Sequence, residues 1–306
     1  MSDSSAEPLS PFDAATLWPQ MGRLDTEVIA TRQGESLLVR SGLAATRLTN
    51  LPHVRRTVVM GVRRGLGYRG VLVARELSGG IAWEVVSIRI ARESDEGAIE
   101  LLLAGVVEEV LQRAGRTLYL RYAEGSPHEV AIQHSGFTAY VSETLYAPPP
   151  PVPPPEMVSI RAIDKEDAYA VFRLYCQVSP EQVRRRESPT FEAWAAVRDS
   201  LDTSGELVSD GERSLVLWVG LGEREGRIFH HSADPTVLDT GLSAVESGIG
   251  PSGTLVVFDY QSAVSQRGVE RGYTELGTRM VCARGLAITQ TLEERVAVSE
   301  PRPIPQ

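Results

Sequence analysis

Carboxylates and a glycine gather at one turn of this 306-residue chain. Arg92-Glu-Ser-Asp-Glu-Gly-Ala98 joins a strand-like run, Ile81 to Ala91, to a segment whose apolar residues Ile99, Leu102, Leu103, Val106, Val107, Val110 and Leu111 recur at helical spacing. A helix opening at such a turn presents unpaired N–H groups and the positive end of its dipole, so the chemistry on offer is the holding of an anion, a phosphate above all. Glu93, Asp95 and Glu96 offer a second use of the same turn. Like charges within a Debye length of about 8–10 Å repel a diphosphate, whereas acidic residues suit a helix start in their own right. Both readings stand at this point. Upstream, Glu84 is a carboxylate inside the strand. Raised by burial it could take a proton from an ammonium through water; paired with an arginine it would be structural.

Other residue types with chemical potential do not converge. His230 and His231 are neighbours on a strand-like run and so face opposite sides, which keeps them from sharing a metal. His53, His128 and His134 have no common spacing, and nothing places Ser, His and Asp as a nucleophilic triad. Cys176 and Cys282, the only cysteines, lack metal-type spacing, so no metal site and no disulfide framework are expected.

The elements that must position the turn follow from periodicity. In Ile81–Ala91, strict alternation puts Val86, Ile88 and Ile90 on one face and Trp83, Val85, Ser87 and Arg89 on the other. Earlier strands are predicted at Ser36–Arg40, Arg56–Met60 and Tyr68–Ala74, with turns at Gly65–Gly67 and Ser78–Gly80, while the first residues read as loosely ordered with one short helix near Phe12 to Met21. Gly115 ends the long helix, and Thr117–Tyr122 is the next strand, completing a βαβ crossover. Ser126, Pro127 and Glu129 compose a capping box for a short helix that Gly136 closes before a strand from Phe137 to Tyr146. Pro148 to Pro155 is a stiff spacer of polyproline type. Beyond it come a strand at Val158–Ala162, a helix capped by Asp164, a helix started by Ser188-Pro189, strands at Ser214–Val219 and Arg227–His231, and a weak helical segment near Val237 to Ser247, with Gly241 within it and Gly248 at its end each costing about 1 kcal/mol in a helix interior. A strand at Thr254–Tyr260, a short helix, Gly272-Tyr273 and a strand at Glu275–Arg284 close the chain's ordered part. Thr117–Gly136 and Thr254–Gly272 carry the same strand, short helix, glycine, aromatic and strand order, which reads as an internal duplication.

The boundaries that result are an N-terminal extension 1–34, a first domain 35–147, a proline-rich linker 148–156, a second domain 157–290 and a tail 291–306. Net charge −9 argues against nucleic acid as a partner. Arg184-Arg-Arg186, flanked by Glu181 and Glu187, reads as a solvated face. No apolar run reaches the roughly 18 residues of a membrane span, and the first twenty residues carry no secretory pattern. A cytoplasmic protein is expected, and the near-exclusive use of arginine, with Lys165 the single lysine, fits a GC-rich bacterial genome.

The order of strands, the helix after the fourth strand and the Gly-aromatic exit before the last strand resemble the GNAT superfamily of N-acetyltransferases, across Glu35–Ala147 and again across Val158–Ile288, where Ile160-Arg-Ala-Ile-Asp-Lys-Glu-Asp167 looks like the start of a second such domain. The resemblance implies an α/β (α+β) fold of two tandem domains, each a mixed, mostly antiparallel twisted sheet flanked by helices. It implies acetyl-CoA as co-substrate, held between two splayed strands, and direct acyl transfer to a small-molecule amine. The alternative is a non-catalytic GNAT-fold protein that binds a ligand or partner, and a homodimer is left open. Carried over residue by residue, the pantetheine-pairing strand positions are Ile88 and Ile90, the diphosphate loop is Arg92, Glu93, Ser94, Asp95, Glu96, Gly97 and Ala98, and the base on the fourth strand is Glu84. Where many members carry an acid tyrosine before the Gly-aromatic pair, this chain has Ile132 and Gly268, neither of which donates a proton. The second half has no glycine-rich loop after Phe229–Pro235, so little CoA binding is expected there.

Overall fold

A computed structural model of the protein describes residues 5–10, 13, 17–24, 26–30, 57–65, 67–77, 79–92, 95–150, 158–187, 190–200 and 205–286. The strand expected at Ser36–Arg40, His53, the Ser188-Pro189 helix start, loop residues Glu93 and Ser94, most of the proline run and the tail lie outside these residues.

The first half begins with β1 (Ala6–Pro8), a 3-10 turn (Trp18–Arg23) and β2 (Thr26–Ala30), where the sequence predicted loose order. β3 (Thr57–Arg64) and β4 (Gly67–Glu76) form a hairpin through Gly65, at φ +60°. β5 (Ala82–Ile90) leads into α1 (Glu96–Gln112), then β6 (Thr117–Ala123), α2 (Glu129–His134) and β7 (Thr138–Ala147). The second half runs β8 (Arg161–Ala162), α3 (Ala168–Val178), α4 (Glu181–Glu187), α5 (Phe191–Ser200), β9 (Gly205–Asp210), β10 (Leu215–Leu221), β11 (Glu225–His230), α6 (Pro235–Ile249), β12 (Thr254–Phe258), α7 (Ser262–Glu270) and β13 (Thr274–Gly285).

Local chemistry corrects several sequence-based expectations. Alternation along β5 breaks at Val86, because Ala74 pairs with Val85 while Val73 pairs with Ser87. This bulge turns Trp83, Val85, Ile88 and Ile90 all toward the core under α1 and sends Glu84 to the opposite face. α1 does not end on a left-handed glycine. Ala114 takes that conformation (φ 60°), and Gly115 is needed because a Cβ there would meet Val110 Cγ1 at 2.3 Å. The Ser126/Glu129 capping box is not formed: the N-cap of α2 is His128, and Ser126 Oγ accepts from His128 N at 3.3 Å. Gly241 and Gly248 do not mark a weak helix. α6 spans 15 residues, and at these positions a Cβ would lie 2.9 and 2.7 Å from Leu217 and Leu221, so the glycines let α6 lie close on β10.

All strands among the described residues join one sheet, in the order β1-β3-β4-β5-β6-β13-β7-β12-β11-β10-β9-β8, with β2 on β5 off this path. Pairing is antiparallel except at β5/β6 and β11/β12, where a helix crossover brings two strands side by side. The duplication read from the sequence is present as β6-α2-β7 and β12-α7-β13, but the final strands are exchanged. β13, from the second half, lies between β6 and β7; β7, from the first half, lies between β13 and β12. Gly136 and Gly272 are 136 positions apart, as are Glu143 and Arg279, and Glu143 and Arg279 are direct cross-strand partners. A pseudo-two-fold axis therefore passes through that pair. The first-half core packs α1 and α2 on one face of the sheet; Tyr175 and Trp194 of α3 and α5 join Trp218, Phe229 and Phe258 in a second, aromatic-rich core. α4 lies on β7 and α5 on β5, so helices of the second half cover strands of the first. No helix among the described residues is long and apolar enough to cross a membrane.

Candidate functional site

Each half contains the feature that the resemblance makes decisive, a parallel strand pair that parts after three residues. β5 pairs β6 only at Ala82–Glu84 with Thr117–Tyr119, and β11 pairs β12 only at Glu225–Arg227 with Thr254–Val256. Beyond those points no pairing joins the two strands of either pair, which leaves an opening between them on the side where β5 or β11 runs on to the helix that follows it, α1 or α6.

In the first half both walls of that opening are engaged by the chain itself. Ile88 and Ile90 lie on β5 as predicted, but the edge facing β6 is paired with β2: Thr26 opposite Ile90, Glu27 opposite Arg89, Ile29 opposite Ile88 and Ala30 opposite Ser87. β2 also runs alongside β6, and Val28 and Ile29 are buried in the core that holds Ile88, Ile90 and Ile99. At the mouth, Arg92, Glu96 and Gly97 are exposed and Ala98 is buried. Asp95 caps α1, accepting from Ala98 N at 3.2 Å, and holds the Arg69 guanidinium through two bonds of 2.9 and 2.5 Å. Those Arg69 bonds, against the opposing effect of burial, hold the Asp95 carboxyl below its ordinary range. Of the two uses of this turn, helix start and anion loop, Asp95 serves the first.

In the second half the parting strands are bridged by one side chain. Gln261 donates from Nε2 to Ile228 O at 2.5 Å and accepts from Phe258 N at 3.2 Å. The mouth again carries an aspartate cap, Asp234, which accepts from Thr236 N at 2.9 Å. His230 lies beside it with Nε2 buried and without a partner, and burial lowers its pKa.

Glu84 does not line the opening. It is fully buried, with Oε1 bonded to Arg121 Nη1 and Oε2 to Arg75 Nε at 3.2 Å. These bonds open a charge network that crosses the pseudo-axis. Arg121 reaches Glu143 at 3.3 Å, Glu143 takes Arg227 at 2.8 Å and Arg279 at 2.6 Å, and Arg279 continues to Glu225 at 3.1 Å. Burial alone would raise the Glu143 carboxyl, but the guanidiniums of Arg227, Arg279 and Arg121 outweigh it and hold the group well below the usual range. Residues that sequence reasoning passed over thus do most of the electrostatic work. A charged residue inside an otherwise apolar strand, Arg121 in Leu-Tyr-Leu-Arg-Tyr, was an available signal; Glu143, between Ser142 and Thr144, carried none of that kind.

A second buried cluster ties α4 to the first half. Glu187 accepts from Tyr175 Oη at 2.8 Å and Tyr140 Oη at 3.0 Å, and its carbonyl accepts from Tyr119 Oη at 3.2 Å. Burial raises the Glu187 pKa, with the phenols and Arg121 opposing. A carboxyl raised on folding adds stability that is present below its ordinary value and is lost as pH rises through the raised one. Glu187→Gln is therefore expected to flatten the fall in stability as pH rises above the ordinary carboxylate range, read as urea midpoints; an unchanged slope would show that the group is not the source. Of the neighbouring run read as a solvated face, Arg185 and Arg186 are exposed, with Arg185 bonded to Glu181 one turn away at 2.5 Å, whereas Arg184 is half-buried and the flanking Glu187 is buried.

No family model and no curated protein matches the sequence. Among solved structures the chain is similar to a tandem GNAT protein from the clavulanic acid biosynthesis pathway, at 11% identity and TM-score 0.52 over 93% of this chain and 99% of that one. It is similar also to a GCN5-related N-acetyltransferase from Sphaerobacter thermophilus, at 16% identity and TM-score 0.51 over 94% and 96%. With two halves of repeated topology, each built on a parallel pair that parts behind a helix, the fold of this chain is the tandem GNAT fold.

Proposed function

We propose that the protein is a GNAT-type acyltransferase that takes an acyl group from acetyl-CoA and passes it directly to the nitrogen of a small-molecule amine. The observation that carries this reading is the parting of β5 and β6 after Glu84/Tyr119, with α1 starting at the mouth. The β5 edge at Ile88 and Ile90 would pair the pantetheine arm, and the turn Arg92–Ala98 would face the diphosphate. The amine lone pair attacks the thioester carbonyl, the C–N bond forms, the C–S bond breaks and the thiolate leaves, taking up through water the proton that the nitrogen gives up. Orientation of the two reactants supplies most of the acceleration in this reading. The proton of the amine is not routed through Glu84, whose two oxygens are already held by Arg121 and Arg75.

A second reading, a GNAT-fold protein that binds a ligand or partner without catalysis, is favoured by three facts together: the groove holds β2, Asp95 caps its own helix, and neither Ile132 nor Gly268 supplies an acid. The two are separated by a thermal shift of the purified protein with acetyl-CoA, beside free CoA and ATP as charge controls. Ligand at a hundred times its Kd stabilises by about 2.7 kcal/mol, several degrees for a protein of this size. Both CoA forms are expected to shift the wild type and not Gly97→Trp. Position 97 is exposed, and a Cβ there comes no nearer than 3.7 Å to Arg69, so the indole blocks the mouth without disturbing the core. No shift at millimolar ligand would leave the binding reading in place.

A further inference from the structure

The occupant of the first groove is a segment of this chain, and its pairing is short. β2 has five residues and carries a bulge, so that Thr26 and Glu27 pair on one side of Val28, and Ile29 and Ala30 on the other. A ladder broken after two pairs has little cooperativity of its own. What holds β2 is burial: Ile29 is 1% and Val28 8% exposed, against Ile88 and Ile90. The elements that precede it in the chain are anchored elsewhere. β1 pairs with the far edge of β3, with Ala6 opposite Val62, and Leu17 and Leu24 are buried against Val59, Val71 and Val73. β2 can therefore leave β5 without unseating β1 or the turn that follows it.

Ile90 shows what is at stake. One edge of this residue is paired with Gly70 of β4 and the other with Thr26 of β2. An extended ligand that hydrogen-bonds along the same stretch of β5 has no free backbone to meet. We propose that β2 is a self-inhibitory strand, an internal competitor for the first groove, and that acyl-CoA binds only to molecules in which Thr26–Ala30 has left the β5 edge. This rests on the acyl-CoA reading above. A strand absent in roughly 1–10% of molecules weakens the apparent affinity roughly 10–100-fold, because only the open fraction binds.

The test locks or releases the strand in the full-length protein. Glu27 and Arg89 stand directly opposite each other, a placement that brings Cβ atoms to about 4.5–5.5 Å and within adjustment of a disulfide. In a Cys176→Ser background, Glu27→Cys with Arg89→Cys is titrated calorimetrically with acetyl-CoA, reduced and oxidised. Ile29→Asp, which puts a charge where β2 is buried, is titrated beside it, with hydrogen exchange followed at Ser87–Ile90. The expected result is binding by the reduced pair, at least a ten-fold loss on oxidation, and roughly ten-fold tighter binding by Ile29→Asp with faster exchange at Ser87–Ile90. Equal affinity of the oxidised and reduced forms would overturn the proposal while leaving the acyl-CoA reading intact. Absence of binding in every form, with exchange at Ser87–Ile90 accelerated in Ile29→Asp, would show a groove that opens and takes no acyl-CoA, and would overturn both.

Discussion

Residues 1–150 and 151–306, expressed as separate chains, are each expected to be insoluble alone and to copurify as a one-to-one complex when made together. The reason is the strand exchange. Without the second half, β6 loses its partner along Thr117–Ala123, and β7 loses pairing on both of its edges, to β13 and to β12. Unpaired strand edges of this length recruit other chains. The missing half also withdraws Arg227 and Arg279 from Glu143, and α4 from Tyr119 and Tyr140. A first half that is monodisperse and gives a dispersed amide spectrum by itself would refute this account of the sheet.

Glu143→Ala is the point substitution expected to cost most. It leaves three buried or nearly buried guanidiniums, Arg121, Arg227 and Arg279, around an empty position, with Glu84 and Glu225 at the ends of the network as the remaining counter-charges. Removing one partner of a buried pair costs about 3–5 kcal/mol, a large share of the 5–15 kcal/mol that typically holds a domain. Melting is expected to fall by on the order of 10 °C. Glu143→Leu with Arg279→Leu, which removes opposite charges of similar volume across the axis, should recover part of the loss. The wild type carries a related acid sensitivity. The Glu143 carboxyl is held well below its ordinary range on folding, so its contribution is present above that range and is lost as pH falls through the depressed value. A Glu143→Ala variant that melts within a degree of wild type would mean that the network is no source of stability.

Periodicity exposed the parts of the fold that are local. The strand from Ile81, the α1 stripe from Ile99 to Leu111 and the repeated strand, helix, glycine and aromatic order stand as expected, because each is set by residues within a few positions of one another. The bulge at Val86 was hidden, since one extra residue reverses the faces of a strand without altering its composition. Gly241 and Gly248 misled, because propensity charges a glycine in a helix a fixed cost while the sheet beneath α6 rewards the close approach it allows. The exchange of β7 and β13 was beyond reach: their pairing joins residues more than a hundred positions apart, and nothing in either strand names its partner. At the candidate site the surroundings of Asp95, Glu84 and the β5 edge at Ile88 and Ile90 were not legible, because they are set by Arg69, Arg121 and Thr26–Ala30, which meet them only in three dimensions. β2 was missed because Thr-Glu-Val-Ile-Ala is too short for periodicity to register.

The shared seam constrains how the molecule can move. In two-domain proteins that clamp a ligand, a flexible joint lets one body rotate against the other, and closure carries the ligand out of water. Here such a rotation would have to shear β7 from β13 along ladders that run from Thr138 to Ala147 and would tear the Glu143–Arg279 pair on the pseudo-axis. The two halves are one rigid plate in this respect. Any opening or closing must then be done by pieces fastened to the plate's surface, and an effect at one groove reaches the other through the sheet or not at all.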